Sequence, residues 1–179
     1  MDDALNDFAK AMHTAWSPIS TALVGECRAR LAMLMQADPR EPWLASLHAE
    51  QPASRELCRD ADHGFMLLAH AEPAGLYRPP HDHGRAWVVY GVQSGALEIG
   101  TYAKASGPDG KIRLVQRGLT VLQAGETRAY LPGDIHDTRC LGGAALLLRF
   151  TERDLRREDQ SARQVIRFAE CDGNWTVPA

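Results

Sequence analysis

From about Ser54 to Thr151 the chain is a succession of short apolar segments separated by glycine and proline. Within one of them Leu97 and Ile99 alternate with Glu98 and Gly100, a period of two that places side chains on opposite faces of a β-strand. Many short strands at this spacing, with no helical crossovers between them, predict a β-sandwich or barrel rather than a parallel α/β sheet. The segments predicted as strands are Gly64–Ala69, Ala86–Val92, Ala96–Tyr102, Lys111–Gln123, Thr127–Leu131, His136–Leu141 and Ala144–Phe150.

The segments on either side of this region have a different composition. From Ser20 to Gln36 apolar residues recur every three or four positions, which predicts one buried helix face, and a second short helix is predicted after Pro42. The polar tail predicts a short solvated helix or loop, with a last strand at Gln164–Phe168. We therefore expect one structural domain, with an N-terminal helical segment (1–53) packed on a barrel (54–151) and followed by a C-terminal extension (152–179).

Composition and charge exclude several functional classes. The formal net charge of -3 gives no basic stripe for nucleic acid, and no apolar run approaches the roughly 20 residues of a membrane span. Met1–Asp3 is acidic where a signal peptide has a basic region, and the four cysteines are widely spaced with no CxxC pair. We expect a cytoplasmic protein with reduced cysteines, and no nucleic-acid or membrane partner.

Three histidines form the pattern that carries the chemistry. His81 and His83 lie two residues apart, so that in a strand both imidazoles point to one face, about 6.5 Å apart along the backbone. Two histidines alone make a poor metal site, and His136 is the best candidate for a third ligand because Pro132-Gly133-Asp134 predicts a tight turn just before it. Neutral imidazoles suit iron, zinc, copper and nickel rather than magnesium or calcium.

These residues resemble the two motifs of the cupin superfamily. Gly75, five residues and then His81-x-His83 is similar to the first motif, and Pro132-Gly133-Asp134-x-His136 is similar to the second. The resemblance covers roughly Arg55 to Phe150 and implies a double-stranded β-helix barrel. The fold class that we expect is therefore all-β, a cupin barrel with an N-terminal α-helical segment.

A glutamate usually follows the first cupin motif, but this chain has Trp87 and Val88 at those positions. The sequence around His81 and Trp87 resembles that of the cysteine dioxygenase group of thiol dioxygenases. In that family an iron(II) held by three histidines adds both atoms of O2 to a thiol. Three neutral ligands leave the full charge on the metal, which favours a thiolate as the next ligand. The resemblance implies Fe(II), with zinc or nickel as alternatives, and a small thiol carboxylate and O2 as substrates.

The resemblance also implies residues around the metal. An arginine on a strand before the metal motif binds the substrate carboxylate in this family, and Arg55 matches best, with Arg59 and Arg78 as competitors. The family's Ser-x-His-x-Tyr pattern after the third histidine is absent, since in register the chain has the apolar residues Leu146, Leu148 and Phe150. Further pocket candidates are Tyr77, Trp87 and Tyr130, and the tyrosines that could replace the missing hydroxyl are Tyr77, Tyr90 and Tyr130.

Other functions remain open at the level of sequence. A different three-histidine dioxygenase chemistry, such as carbon–carbon cleavage of a β-diketone, fits the same ligands. So does a non-catalytic cupin that binds a metal and a small ligand, and the missing Ser-His-Tyr set favours that reading. His70 lies on the strand leading to Gly75 and could face the pocket. The resemblance is compatible with a monomer or a homodimer.

Overall fold

Three helices open the chain in the computed structural model, which describes residues 3–107, 110–160, 165–171 and 173–177. The carboxylate of Asp3 accepts a hydrogen bond from the backbone N–H of Asn6, and the hydroxyl of Ser20 accepts one from that of Leu23. Each cap satisfies an N–H group that the first turn of a helix leaves without a partner. Both helices predicted from the sequence are present among the three, α1 (Ala4–Ala15), α2 (Thr21–Leu34) and α3 (Pro42–Glu50).

The strands that follow pair in antiparallel fashion throughout the described chain. The first seven form one sheet in the order β1-β2-β7-β4-β5, with β3 also paired to β7 and β6 to β4, while the last two form a separate hairpin. The strands are β1 (Arg55–Arg59), β2 (Met66–Glu72), β3 (Tyr77–His81), β4 (Val88–Ser106), β5 (Ile112–Gln123), β6 (Thr127–Tyr130), β7 (Ile135–Thr151), β8 (Ala169–Cys171) and β9 (Asn174–Thr176).

Two long strands, β4 and β7, each replace a pair of shorter strands expected from the sequence. The predicted breaks after Val92 and Leu141 are bends within continuous strands, where the β4–β7 register shifts between Val92 and Ala96. Gly95 lies at this bend with φ of 79°, and a Cβ there would lie 2.7 Å from the Cβ of Ala145. Only glycine fits this close approach, so the sequence break marks a bend rather than a strand end.

The two faces of β7 pack into different parts of the core. Leu148 and Phe150 are fully buried against the helices, in a cluster that also contains Trp87. Leu147, the neighbour of Leu148 along the strand, belongs to a second cluster with Val88 and Tyr90 on the inner face of the sheet. Alternation along one strand therefore separates the helix-facing core from the barrel interior.

The C-terminal extension is less solvated than its composition predicts. It begins with a short helix, α4 (Leu155–Asp159), in which Glu158 is only 2% exposed. The Glu158 carboxylate accepts hydrogen bonds from the backbone N–H of Arg85 at 2.8 Å and from its guanidinium at 2.9 Å. The expectation of a solvated helix or loop is thus wrong for this face of α4, because a buried carboxylate with these donors fixes the helix to the barrel.

Past α4, the predicted last strand at Gln164–Phe168 begins outside the described residues. Its described part, 165–168, pairs with the end of β3 through a single bridge between His81 and Arg167, and the regular strand β8 begins only at Ala169. None of the described helices has the length and apolarity needed to cross a membrane. The sheet topology confirms the predicted all-β class, since the described strands form antiparallel sheets and a helical segment precedes them.

The packing of Phe150 provides a test of how the helices are held on the sheet. Its ring is fully buried and contacts those of Phe8, Trp16, Phe65 and Trp87, with centroid separations of 5.2–6.3 Å. We expect Phe150→Ala to lower the free energy of unfolding by about 3–5 kcal/mol in urea titrations, because it leaves a cavity between the two layers. The control Leu119→Ala, at a side chain on β5 that is 58% exposed, should change it by less than about 0.5 kcal/mol. An equal decrease in the free energy of unfolding in the two variants would contradict this description of the core.

Candidate metal centre

Strand pairing brings the three predicted histidines together. His81 on β3 lies directly opposite His136 on β7, and His83 follows two residues after His81. The ring centroids lie 4.8 Å (His81–His136), 5.0 Å (His83–His136) and 5.4 Å (His81–His83) apart. One nitrogen from each ring lies within 4.8 Å of the other two, so the three side chains could hold one metal ion.

The backbone next to His81 fixes the state of its ring. Nδ1 of His81 lies 2.8 Å from the carbonyl oxygen of Pro79, and because a carbonyl only accepts, Nδ1 carries the proton and donates. The lone pair is then on Nε2, which is left for a metal. A backbone carbonyl that orients the non-ligating nitrogen is a common support for a metal-binding histidine.

Burial favours the neutral form of the three imidazoles. His83 and His136 are 2% and 0% exposed, and burial holds the pKa of each well below its usual value, with the neighbouring histidines lowering it further. Burial also lowers the pKa of His81. A metal binds the unprotonated form of imidazole. Because burying a protonated imidazole is unfavourable, burial favours the form that can act as a ligand.

The hydrogen bonds among these side chains are incomplete without a further partner. The hydroxyl of Tyr90 lies 3.3 Å from Nε2 of both His83 and His136, yet it carries one proton and can donate to only one of them. Nδ1 of His83 and Nδ1 of His136 are buried without a hydrogen-bond partner in the described part of the chain. Buried polar atoms are normally satisfied, so a bound ion fits this donor set.

The histidines lie at the wall of a cavity of about 520 Å³. His81, His83 and Tyr90 line it, while His136 lies behind them and is fully buried. The residues 165–168 close one side, because the Phe168 N–H donates to the carbonyl of Pro80 and the Ile166 N–H donates to Asp82. Four guanidiniums and two carboxylates also line the cavity, an excess of two positive charges: Arg78, Arg149, Arg156, Arg167, Glu72 and Asp159.

Arg149 differs from Arg78 and Arg167, two other arginines of the cavity. Arg78 makes a two-point ion pair with the buried carboxylate of Glu72, and Arg167 pairs with Asp159. No described carboxylate forms an ion pair with Arg149, and its Nε is buried without a hydrogen-bond partner among the described residues. Arg149 is the register partner of Tyr90 across β4 and β7, which places a guanidinium with at least one unused donor, Nε, beside the histidines.

The structure places the predicted substrate arginine elsewhere. The guanidinium of Arg55 donates to the hydroxyl of Ser46 at 2.6 Å and pairs with the carboxylate of Glu50 at 2.5 Å. Arg55 does not line the cavity of the histidines, because its side chain is directed toward α3. Of its competitors, Arg59 pairs with Glu56 and Asp154, and only Arg78 reaches the cavity.

The other predicted pocket residues are divided between the two sides of the sheet. Tyr77 lines the cavity, although its hydroxyl donates to Asp137 at 2.9 Å. Tyr130 does not line it, but its ring packs 3.9 Å from that of His136. Trp87 lies in the helix-facing core beside Trp16 and Phe150, so its role is packing rather than contact with a ligand.

Sequence reasoning missed the two cavity residues in the second half of β7. The expected register of the Ser-x-His-x-Tyr pattern, at Leu146, Leu148 and Phe150, is wrong, because those side chains face the helices. The cavity face of β7 instead carries Leu147 and Arg149. A slip of one residue exchanges the faces of a strand, and a uniformly apolar segment carries no signal that fixes the register.

His70 also lines the cavity. Burial lowers the pKa of its imidazole to about 3, and the charges of Arg149 and Arg78 act in the same direction. Nδ1 lies 3.2 Å from the carbonyl of Ala53, whereas Nε2 is buried without a partner in the described residues. A neutral imidazole therefore faces the cavity with one nitrogen unused.

By sequence, no family model and no curated protein matches the chain. By structure, it is similar to the cupin domain of Schizosaccharomyces pombe Cnp3, with 13% identity over 62% of this chain and 66% of that one and a TM-score of 0.45. KdgF from Halomonas sp. has 18% identity over 56% of this chain and 78% of that one, with a TM-score of 0.42. An oxalate oxidase in complex with the substrate analogue glycolate has 22% identity over 56% of this chain and 51% of that one, with a TM-score of 0.42.

The alignments span less than two thirds of the Cnp3 domain and about half of the oxalate oxidase chain.

Single substitutions test the three ligands. We expect His81→Ala, His83→Ala and His136→Ala each to lose one equivalent of iron(II) relative to the unchanged chain, because two imidazoles make a poor site. Elemental analysis after anaerobic loading and gel filtration measures the loss. His48→Ala, at an exposed histidine of α3, serves as the matched control and should retain all bound metal. Full occupancy in any of the three variants would remove that residue from the ligand set.

Proposed function

We propose that this protein is a non-haem iron(II) dioxygenase that uses O2 to oxidise a small thiol bearing a carboxylate. The observation that carries the proposal is the cluster of three histidines, of which His83 and His136 are buried, at a cavity that is also lined by Arg149, whose buried Nε has no hydrogen-bond partner among the described residues. In the reaction a thiolate and O2 give a sulfinate, R–S⁻ + O2 → R–SO2⁻, so both oxygen atoms enter the product and no organic cofactor is needed.

His81, His83 and His136 would hold the iron through one nitrogen each. When bound, iron(II) would bind both the thiolate and O2 and would mediate the transfer of four electrons from the sulfur to O2. The three imidazoles contribute no negative charge, and no carboxylate belongs to this cluster of described ligands. The positive charge that remains favours an anionic sulfur over a neutral donor, which supports a thiol as substrate.

Arg149 is suited to hold the substrate carboxylate. Its guanidinium presents paired N–H donors in a plane, and at least one of them is buried without a partner among the described groups. A carboxylate bound there would satisfy that donor and bring a sulfur two or three bonds away toward the histidines. We therefore assign to Arg149 the role that the sequence predicted for Arg55.

Tyr90 and His70 supply the polar groups that remain. The Tyr90 hydroxyl faces Nε2 of two ligands, so it can orient them and can hydrogen-bond to whatever lies between them. Burial raises the pKa of Tyr90, which keeps this hydroxyl protonated and able to donate. The free nitrogen of His70 can accept a hydrogen bond from an ammonium or hydroxyl group of the substrate.

Oxygen uptake provides the direct test. The iron-loaded protein is expected to consume O2 with a small thiol carboxylate, at a rate well above that with the matched thiol lacking the carboxylate. A panel of β-diketones tests the alternative of carbon–carbon cleavage. Bound metal with ligand-induced thermal stabilisation, but no O2 uptake across the panel, would contradict the proposal and indicate a non-catalytic binding protein.

A pair of arginine variants tests how the substrate is held. Loss of a charge-assisted hydrogen bond costs about 1.5–3 kcal/mol, so Arg149→Gln should lower kcat/KM for the thiol carboxylate about ten- to hundred-fold, chiefly through KM. The same variant should barely affect the thiol without a carboxylate. Arg55→Gln, with its guanidinium engaged by Glu50, should leave both rates unchanged. If Arg55→Gln lowered kcat/KM for the thiol carboxylate and Arg149→Gln did not, Arg55 would be the residue that binds the carboxylate.

A further inference from the structure

A second group of metal-ligating side chains lies where the last turn of α1 meets the turn between β1 and β2. Nδ1 of His13 lies 2.8 Å from Oδ2 of Asp60, and the rings of His13 and His63 are 5.0 Å apart. One ligand atom from each of the three residues lies within 4.8 Å of the other two. The group is separate from the cavity described above, since none of its members lines that cavity.

The turn after β1 holds the carboxylate of Asp60 in one orientation. Oδ1 accepts hydrogen bonds from the backbone N–H of His63 at 2.7 Å and of Asp62 at 3.1 Å, and the Asp60 carbonyl accepts one from Gly64 at 3.1 Å. The side chain of Asp60 is only 10% exposed. Because Oδ1 is occupied by these donors, Oδ2 is the oxygen that faces the two histidines.

The histidine rings are also held from the side of the helix. The ring of His63 stacks on that of Trp16 with a centroid distance of 5.7 Å and an interplanar angle of 21°. Trp16 ends α1 and packs on Phe65 and Trp87, so its position is fixed by the core. His13 lies in the last turn of the same helix. The turn holds Asp60, the Trp16 ring holds His63, and helix α1 holds His13. Two imidazoles and one carboxylate are therefore directed to a common point.

We propose that His13, Asp60 and His63 form a second metal site, of the kind that takes Zn²⁺ or a similar divalent transition ion. Two imidazole nitrogens and one carboxylate oxygen are ligands that zinc prefers, and a water would complete four-coordination. Asp60 contributes a negative charge that the three-histidine centre lacks, so the two sites differ in the net charge of the bound complex. An ion here links the end of α1 to the sheet and stabilises the docking of the N-terminal helices.

Zinc binding is best measured in a chain whose first site has been removed. In the His81→Ala/His136→Ala variant we expect one equivalent of Zn²⁺ by isothermal titration calorimetry, with a dissociation constant below about 10 µM. Thermal unfolding of this variant should shift to higher temperature as Zn²⁺ is added, since an ion that binds only the folded state stabilises it. Circular dichroism verifies that the variant is folded.

Further substitutions in that background assign the ligands. His63→Ala should abolish the zinc-induced thermal shift, and so should Asp60→Asn, whose amide oxygen can still accept the two backbone hydrogen bonds of the turn. His48→Ala is the matched control and should retain both binding and shift. Where the double variant does not fold, the same count is made in the otherwise unchanged chain, where His63→Ala should reduce bound Zn²⁺ by one equivalent.

Absence of zinc binding in the folded double variant would overturn this proposal, and so would binding that His63→Ala leaves intact. A simple ion pair between His13 and Asp60 would then account for the contact. Neither result bears on oxygen uptake at the three-histidine centre. The two proposals can therefore fail independently.

Discussion

The hydrogen-bonded register of β7 is the constraint on which the rest of the structure depends. This strand pairs with β2, β3 and β4, so it joins both halves of the barrel. Its pairing with β3 sets His136 opposite His81, and its pairing with β4 sets Arg149 opposite Tyr90. A shift of one residue along β7 would turn the histidine and the arginine away from the cavity together. The hydrogen bonds of β7 therefore determine both the positions of the histidines and the way in which the barrel strands are joined.

The alternation along β7 also connects stability to chemistry. Leu148 and Phe150 anchor the helices on the outer face, while Leu147 and Arg149 face inward. The buried outer residues offset the cost of holding polar groups inside, because a guanidinium and three imidazoles lose solvation when they are placed in the barrel. The helical layer is therefore part of what keeps the candidate site in register.

The sequence was sufficient to predict that His81, His83 and His136 come together, and that the fold is all-β. Histidines two apart in a strand, and a histidine after a Pro-Gly-Asp turn, are local patterns whose geometry is nearly independent of the rest of the chain. Arg149 could not be found this way, because the face it occupies depends on a register that the run of leucines before it leaves undetermined. Arg55 was a reasonable candidate by position, but its partners Ser46 and Glu50 lie on a helix whose docking no local pattern predicts.

The charge around the cavity has a consequence for how the protein matures. A rim that draws in an anion also repels an arriving dication. The segment that follows every barrel strand adds Arg156, Arg167 and Asp159 to that rim, a net positive charge of one. The histidines come together as soon as β3 and β7 pair, before this segment needs to dock. The positive charge next to the histidines is therefore smaller before this segment docks than after it, so a divalent ion meets less electrostatic repulsion at the paired strands alone than at the closed cavity.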